Sequence, residues 1–433
     1  MAIKNLLRDK VDAYFEKASD EITALTQELV RIPSINHPPT GEEGKVQEYV
    51  ASYLEKAGLK PDSYLPTDIK NIQRHPAWWP GRDYTDRPVV SARLKGRGKG
   101  RSLLWTGHID TVPLGTTRWS VDPFGAEIKD GKLYGLGSMD MKGGCAAHLS
   151  AIRIIKELDI PLAGDLIVET VSDEEFGGAN GTLAGRLRGY TADAMIDTEP
   201  TGFSIWLGNS GGRVVHLHFT APAGGIAIGR RINFSAVEQI NTFISEFEKF
   251  KELRRSNVPN WKDLPHDPVP AWVTKISSGG WGTNVPLTVP SEGDVEVYWQ
   301  LQIGETMESV DKEFYAWLSG LVAKYPDLFP TPPMVTIPYR WMPASQVPPD
   351  HPMVVKLRDL LEKETKEKPV VELGHAPSDT HIVNDHFAPC PAIMFGPGGD
   401  HAHEADEYVL VDDLTKLTKL LVLFAIEWCG LVE

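Results

Sequence analysis

Short apolar runs that end in ionisable residues constrain this chain more than any other feature. "SLLWTGHID" ends in His108 and Asp110, and "DLIVETVSDEE" ends in Asp173, Glu174 and Glu175. "TADAMIDTEP" closes on Asp197 and Glu199, and "CPAIMFGPGGDHAHEADE" on His401 and His403. Runs this short, bounded by turn residues, predict buried strands. Amphipathic stretches such as "GCAAHLSAIRIIKEL" lie between them, so the alternation predicts an α/β domain with a mainly parallel sheet. In open sheets of that kind ligands gather beyond the carboxyl ends of the strands, where all of these acids and histidines fall.

The alternation stops near Gly208. From there "RVVHLHFTA", "AWVTKISSGG", "EGDVEVYWQLQIG" and "PMVTIPYRW" read as antiparallel strands, with "SAVEQINTFISEFEKFKEL" and "SVDKEFYAWLSGLVAKY" as two amphipathic helices. After Pro348 the first pattern resumes, with a last helix from Val411. The expected organisation is an α/β domain over residues 1–209 and 346–433, interrupted by an α+β insertion over 210–345. At the N-terminus "RDKVDAYFEKASDEITALTQELVRI" reads as one helix, and Thr40 as the start of the next.

A chain of 433 residues, 41% hydrophobic and 24% charged, has material for more than one core. Its net charge of -15 argues against nucleic acid or an anionic membrane as partner and is compatible with cations. Three widely spaced cysteines, Cys145, Cys390 and Cys429, make neither a disulfide framework nor a thiolate metal site, which fits a reducing cytoplasm. The N-terminal "MAIKNLLRDKVDAYF" lacks the apolar core of a signal peptide. The tail "LLVLFAIEWCGLV" is too short for a membrane span and carries Glu427.

His108 and Asp110, two residues apart at a strand end, leave on one face. A carboxylate is a common partner for the second nitrogen of a metal-bound imidazole. Asp140 sits in "GLGSMDMKGG", a glycine-rich turn before a helix, and "SDEEFGG" packs three carboxylates together. Singly, each has an ordinary explanation as a strand-end histidine, a helix cap or a solvated acid. Together they point to a metal centre, because so many carboxylates are costly to desolvate without cations between them. Asp197 competes with Glu199 for a place in it, and His401 with His403. Histidine and carboxylate ligands suit zinc, with manganese or cobalt also compatible.

The order "GHIDTVP", "YGLGSMDMKGG", "DEEFGG", "TEPT", "AHEADE", from about His108 to Glu407, resembles the M20 family of di-zinc amidohydrolases. That family includes acetylornithine deacetylase, succinyl-diaminopimelate desuccinylase and the glutamate carboxypeptidases. The resemblance implies a catalytic α/β domain split by a ferredoxin-like lid that often dimerises, two divalent metal ions and a small-molecule substrate. It implies Asp140 as the bridge between the metals, His108 and Glu199 completing one site, and Glu175 and His403 the other. Asp110 would orient His108, and Glu174 would be the general base. The "TEPT" segment, like the family's "GEPT", selects Glu199 over Asp197, and the "DE" that follows selects His403 over His401. Asp173 receives no chemistry and is expected to be supporting or solvated.

Two departures bear on substrate. Where the family's lid carries an oxyanion histidine, "APAGGIAIGRRINFSAVEQI" presents Ile226, a loss worth about 2.7–4 kcal/mol in comparable sites. Arg230, Arg231 or another group would have to compensate, or the substrate is not an ordinary N-acyl amino acid. Gln300 stands for the lid arginine, while the lid asparagine is kept as Asn284. His216 and His218 alternate along a strand and are read as structural. The implied reaction is hydrolysis of a C–N bond, as a deacylase or carboxypeptidase. A variant is an aminohydrolase acting on a planar or aromatic amine. A remote alternative, a serine hydrolase using Ser210 of "GNSGG", lacks the required strand-to-helix elbow because a strand follows.

Overall fold

Strands covered on both faces read as near-continuous apolar runs, and such runs form the centre of one eight-stranded sheet. A computed structural model describes residues 2–222, 224–225, 234–260, 262 and 267–432. Numbered along the chain, the sheet takes β1 (Pro61–Tyr64), β2 (Val89–Leu94), β3 (Leu103–Thr106), β4 (Leu166–Thr170), β5 (Met195–Asp197) and β6 (Ile205–Trp206). Four strands of a separate unit follow: β7 (Gly211–Thr220), β8 (Ala271–Ser278), β9 (Glu292–Leu301) and β10 (Met334–Thr336). The sheet is completed by β11 (Val371–Glu372) and β12 (Ala392–Met394), in the order β11-β6-β12-β5-β3-β4-β2-β1. Neighbours β12, β5, β3 and β4 are mutually parallel, while β2 and β1 close one edge antiparallel. The segments carrying His108, Glu174, Glu199 and His403 therefore leave the sheet at one end.

The helices of this unit are α1 (Ala2–Phe15), α2 (Ser19–Arg31), α3 (Gly44–Lys56), α4 (Gly143–Glu157) and α5 (Asn180–Arg188), then, beyond two in the separate unit, α8 (Pro352–Thr365), α9 (Thr380–His386) and α10 (Val411–Cys429). Helix α10 packs against α4, α2 and α8. A single core joins Trp105 of β3, Val168 of β4, Ile152 of α4 and Phe424 of α10. The N-terminal helix expected to be continuous is two helices. Phe15 and Ala18, both buried, bracket a turn, and α2 restarts with Asp20 and Glu21 in its first turn, where acids suit the helix dipole. Thr40 does not begin a helix: Thr40–Gly41 pairs with Asn36–His37, and α3 starts at Gly44.

The chain divides into two compact units, residues 1–209 with 345–433, and residues 210–344. In the second, α6 (Ala236–Ser256) joins β7 to β8 and α7 (Met307–Lys324) joins β9 to β10. Its antiparallel sheet has the order β8-β9-β7-β10, the ferredoxin-like arrangement. Burial alternates along β7 and β9, so Leu217, Phe219, Val297 and Trp299 face the phenylalanines of α6. His216 and His218 take the opposite parity, each with a ring nitrogen 2.9 Å from Asp294 Oδ1. Ser235 caps α6, accepting a hydrogen bond from the Glu238 N–H and donating its own N–H to the Glu238 carboxylate. Among the described residues no helix is long and apolar enough to cross a membrane, and all three cysteines are free and buried.

Phe250 lies at the centre of the second unit's core, its ring centroid 5.1 Å from Trp317, 5.2 Å from Trp299 and 5.7 Å from Phe314. Phe250→Ala should cost about 3–5 kcal/mol, read as a lower urea midpoint at unchanged m-value by tryptophan fluorescence.

Candidate metal centre

Each strand end delivers one part of the site. Two residues beyond β3, the buried His108 ring has Nδ1 3.0 Å from the Asp110 carbonyl oxygen. Its Nε2 lies 3.0 Å from Asp140 Oδ1 and 3.6 Å from Glu199 Oε1. Asp140 turns its other oxygen to His403, 3.3 Å from Nε2, and Glu175 Oε2 is 2.8 Å from the same nitrogen. His108, Asp140 and Glu199 form one group with ligand atoms within 4.8 Å of one another, and Asp140, Glu175 and His403 form another. Asp140 belongs to both. Glu174 Oε2 approaches to 4.0 Å from His108 Nε2. Neither Asp197 nor His401 joins a group: Asp197 is buried at the end of β5, and His401 turns Nδ1 to the Ala405 carbonyl, 3.1 Å away.

The backbone that carries these side chains is shaped by close approach. A Cβ at Gly144, at the start of α4, would overlap the Thr198 carbonyl, so only glycine lets that helix close on the Glu199 turn. A Cβ at Gly178 would overlap the Asp173 carbonyl, which ties "FGG" to the acids before it. Asp110 completes the turn. Its carboxylate accepts the N–H of Glu174 at 3.0 Å and of Glu175 at 3.1 Å, and its Oδ1 stands 3.8 Å from His108 Nδ1. The imidazole is thus oriented by the Asp110 backbone carbonyl, while the carboxylate holds the acidic turn.

Charge in the cluster is unbalanced. Burial pushes Glu199 well above the ordinary carboxylate range, and the Asp140 carboxylate adds to the rise. Burial raises Glu174 likewise; His108 opposes it, and Asp379, Glu175 and Asp110 reinforce it. For Asp140 the burial effect is outweighed by hydrogen bonds from His108 and His403, which hold it far below the usual range. His403 is raised chiefly by Glu175. Such a set of imidazole and carboxylate donors, short of positive charge, fits a pair of divalent cations.

Several residues of the site were not legible as such. Asp173, expected to be supporting or solvated, is fully buried and accepts from Arg82, Tyr84, Arg87 and Asn36. Solvation is therefore corrected to an internal salt bridge. Glu407 is buried and accepts the N–H groups of Gly137 at 2.7 Å, Met139 at 2.8 Å and Asp140 at 3.0 Å. Burial lifts its carboxyl to about 8 against those bonds. The "DE" after His403 was the available signal for Glu407. Asp379, buried and hydrogen-bonded by the Thr182 hydroxyl, carried no signal beyond its place before α9.

The residues assigned to substrate belong to the second unit. Ile226, Arg230 and Arg231 lie outside the described residues. Asn284 is exposed in the turn after β8, and Gln300 is buried on β9 opposite Gly212. Ser210 precedes strand β7 rather than a helix, so no nucleophile elbow forms.

The model of Peptidase family M20/M25/M40 matches residues 104–427. An N-formyl-4-amino-5-aminomethyl-2-methylpyrimidine deformylase of Bacillus subtilis is 28% identical, over 96% of this chain and 96% of its own. A succinyl-diaminopimelate desuccinylase of Rhodospirillum centenum is 29% identical, over 92% of this chain and 94% of its own. Among solved structures, an M20-family metallo-carboxypeptidase from Sulfolobus solfataricus superposes with TM-score 0.71 at 18% identity, covering 94% of this chain and 99% of that one. Human carnosine dipeptidase 1 gives 0.71 at 17%, covering 98% and 100%.

Glu407→Ala would leave three peptide N–H groups without their acceptor. The variant should lose on the order of 3 kcal/mol in chemical denaturation, and Glu407→Gln, which keeps an acceptor oxygen, should lose less.

Proposed function

This chain belongs to Peptidase family M20/M25/M40 and is a hydrolase of carbon–nitrogen bonds, and from that premise we propose that it is a two-metal amide hydrolase removing a small acyl group from an amine. The observation that carries the proposal is the shared carboxylate of Asp140 between two ligand groups, with Glu174 beside them. In this reading His108, Asp140 and Glu199 hold one cation, and Asp140, Glu175 and His403 the other. Bound there, the pair would supply Lewis acidity, making water more acidic and polarising the scissile carbonyl. Zinc suits the donors best, with manganese or cobalt as alternatives.

The chain's own residues do the rest. Asp110 holds Glu174 by its N–H, and the Glu174 carboxylate reaches the ligand groups, with Oε2 4.0 Å from His108 Nε2. It takes a proton from the attacking water and returns it to the leaving nitrogen. Burial raises its proton affinity, the direction that favours accepting a proton. Similarity along nearly the full length to a deformylase and a desuccinylase favours a small acyl group, formyl or a dicarboxylic acyl, over a peptide's C-terminal residue. The first unit is then the catalytic domain and the second a lid through which the protein dimerises. Asn284, Gln300, Arg230 and Arg231 are proposed to contact substrate from that lid, with Arg230 or Arg231 standing in for the histidine that Ile226 replaces. Free buried cysteines accord with a cytoplasmic setting.

Metal-loaded protein should release amine and free carboxylic acid in equal amounts from N-formyl or N-succinyl amines. Ammonia without an acyl acid would redirect the assignment to an aminohydrolase. A chelator should abolish turnover and a serine-directed reagent should not. Glu174→Gln should lower kcat by about 10²–10⁴-fold while retaining both metals by elemental analysis. His403→Ala should lose metal.

A further inference from the structure

Residues 79–87 have no part in that chemistry, yet they are strapped to both ends of the acidic turn. At one end the Asn180 side chain accepts the Trp79 N–H at 2.9 Å and donates to the Trp79 carbonyl at 2.8 Å. At the other, Asp173 accepts from Arg82 Nε at 3.0 Å and also from Arg82 Nη2, from Tyr84 Oη at 2.6 Å and from Arg87 Nη2 at 3.2 Å. Arg82 lies 4.9 Å from the Trp79 ring centroid, and Arg87 pairs with both oxygens of Glu43 at 2.7 and 2.6 Å. Two guanidinium groups thus neutralise two carboxylates out of water.

Stability alone does not account for such a cluster. A buried ion pair roughly breaks even against apolar side chains of the same volume, because desolvation cancels most of the attraction. What it does supply is direction. Asp173 sits at φ 70°, a left-handed conformation uncommon for a residue with a Cβ, and its five donors hold it there. Asn36 Nδ2 then bridges Asp173 Oδ1 at 3.1 Å and Asp110 Oδ2 at 2.8 Å, and Asp110 holds the N–H groups of Glu174 and Glu175. The conformation of residue 173 and the two amides after it are therefore set by one connected network.

We infer that Asp173, clamped by Arg82, Tyr84 and Arg87, is the positioning residue of the Glu174–Glu175 pair, fixing where one carboxylate meets substrate and the other its cation. The inference rests on the proposed roles of those two glutamates. Its test uses the full-length protein loaded with cobalt(II), comparing Arg82→Met and Asp173→Asn with the conservative Arg82→Lys. Both disruptive variants should keep two equivalents of cobalt while the visible cobalt spectrum changes. Against the amide substrate found by screening, kcat should fall about 100-fold with KM within about threefold, and Arg82→Lys should recover about tenfold. If neither disruptive variant folds, Tyr84→Phe, which removes one uncharged donor at constant shape, decides by the same spectrum and the same split of kcat from KM. Lower yield and melting temperature with wild-type kcat per cobalt pair and an unchanged spectrum would overturn the inference. Should the wild-type chain cleave no amide, the amide-hydrolase reading fails, while the cobalt spectra still decide the role of Asp173. Failure of the wild-type chain to bind cobalt would overturn both.

Discussion

One carboxylate between two imidazoles organises this protein. Asp140 stands 3.0 Å from His108 and 3.3 Å from His403, and each histidine comes from a different strand end. Holding that geometry requires β3 and β12 to finish at the same edge of the sheet and α4 to start against the Glu199 turn. The parallel pairing of β12, β5, β3 and β4 meets the first requirement. Gly144, where any side chain would strike the Thr198 carbonyl, meets the second.

Around that carboxylate, two buried acids hold the loops that carry the site by accepting backbone N–H groups. Glu407 holds the Asp140 loop by three peptide N–H groups, and Asp110 holds the 174–175 turn by two residues' N–H groups. Peptide donors are fixed in place and do not titrate at ordinary pH, so they orient a loop at constant charge. Glu174 and Glu199 turn an oxygen toward His108 Nε2, at 4.0 and 3.6 Å. Their elevated proton affinities come first from burial and then from neighbouring carboxylates, and cations would relieve both.

The stretch "SDEEFGG" shows how far a sequence reading reaches. Its position after an apolar strand was legible, and so was a separation of duties between neighbouring glutamates. The destination of Asp173 was not. Three consecutive acids in a turn look solvated unless their counter-charges are known, and Arg82 and Arg87 lie 91 and 86 residues away in the chain. The long N-terminal helix was misread for a related reason. Helical periodicity persists across Glu16–Ala18, but burial of both Phe15 and Ala18 in the same core bends the path.

Local pattern determined the class of this protein: apolar runs of strand length, helices between them, acids and histidines after them, and an inserted segment with a different rhythm. Those features depend on neighbours within a few residues, which is why composition and periodicity carry them. Which carboxylates share a cation-sized space, which one is a buried anchor and which backbone amides hold the turn were decided only by tertiary structure. Each of those depends on distances between segments some 30 to 270 residues apart in the chain, such as His108 with Asp140 and Gly137 with Glu407, and no local pattern encodes them.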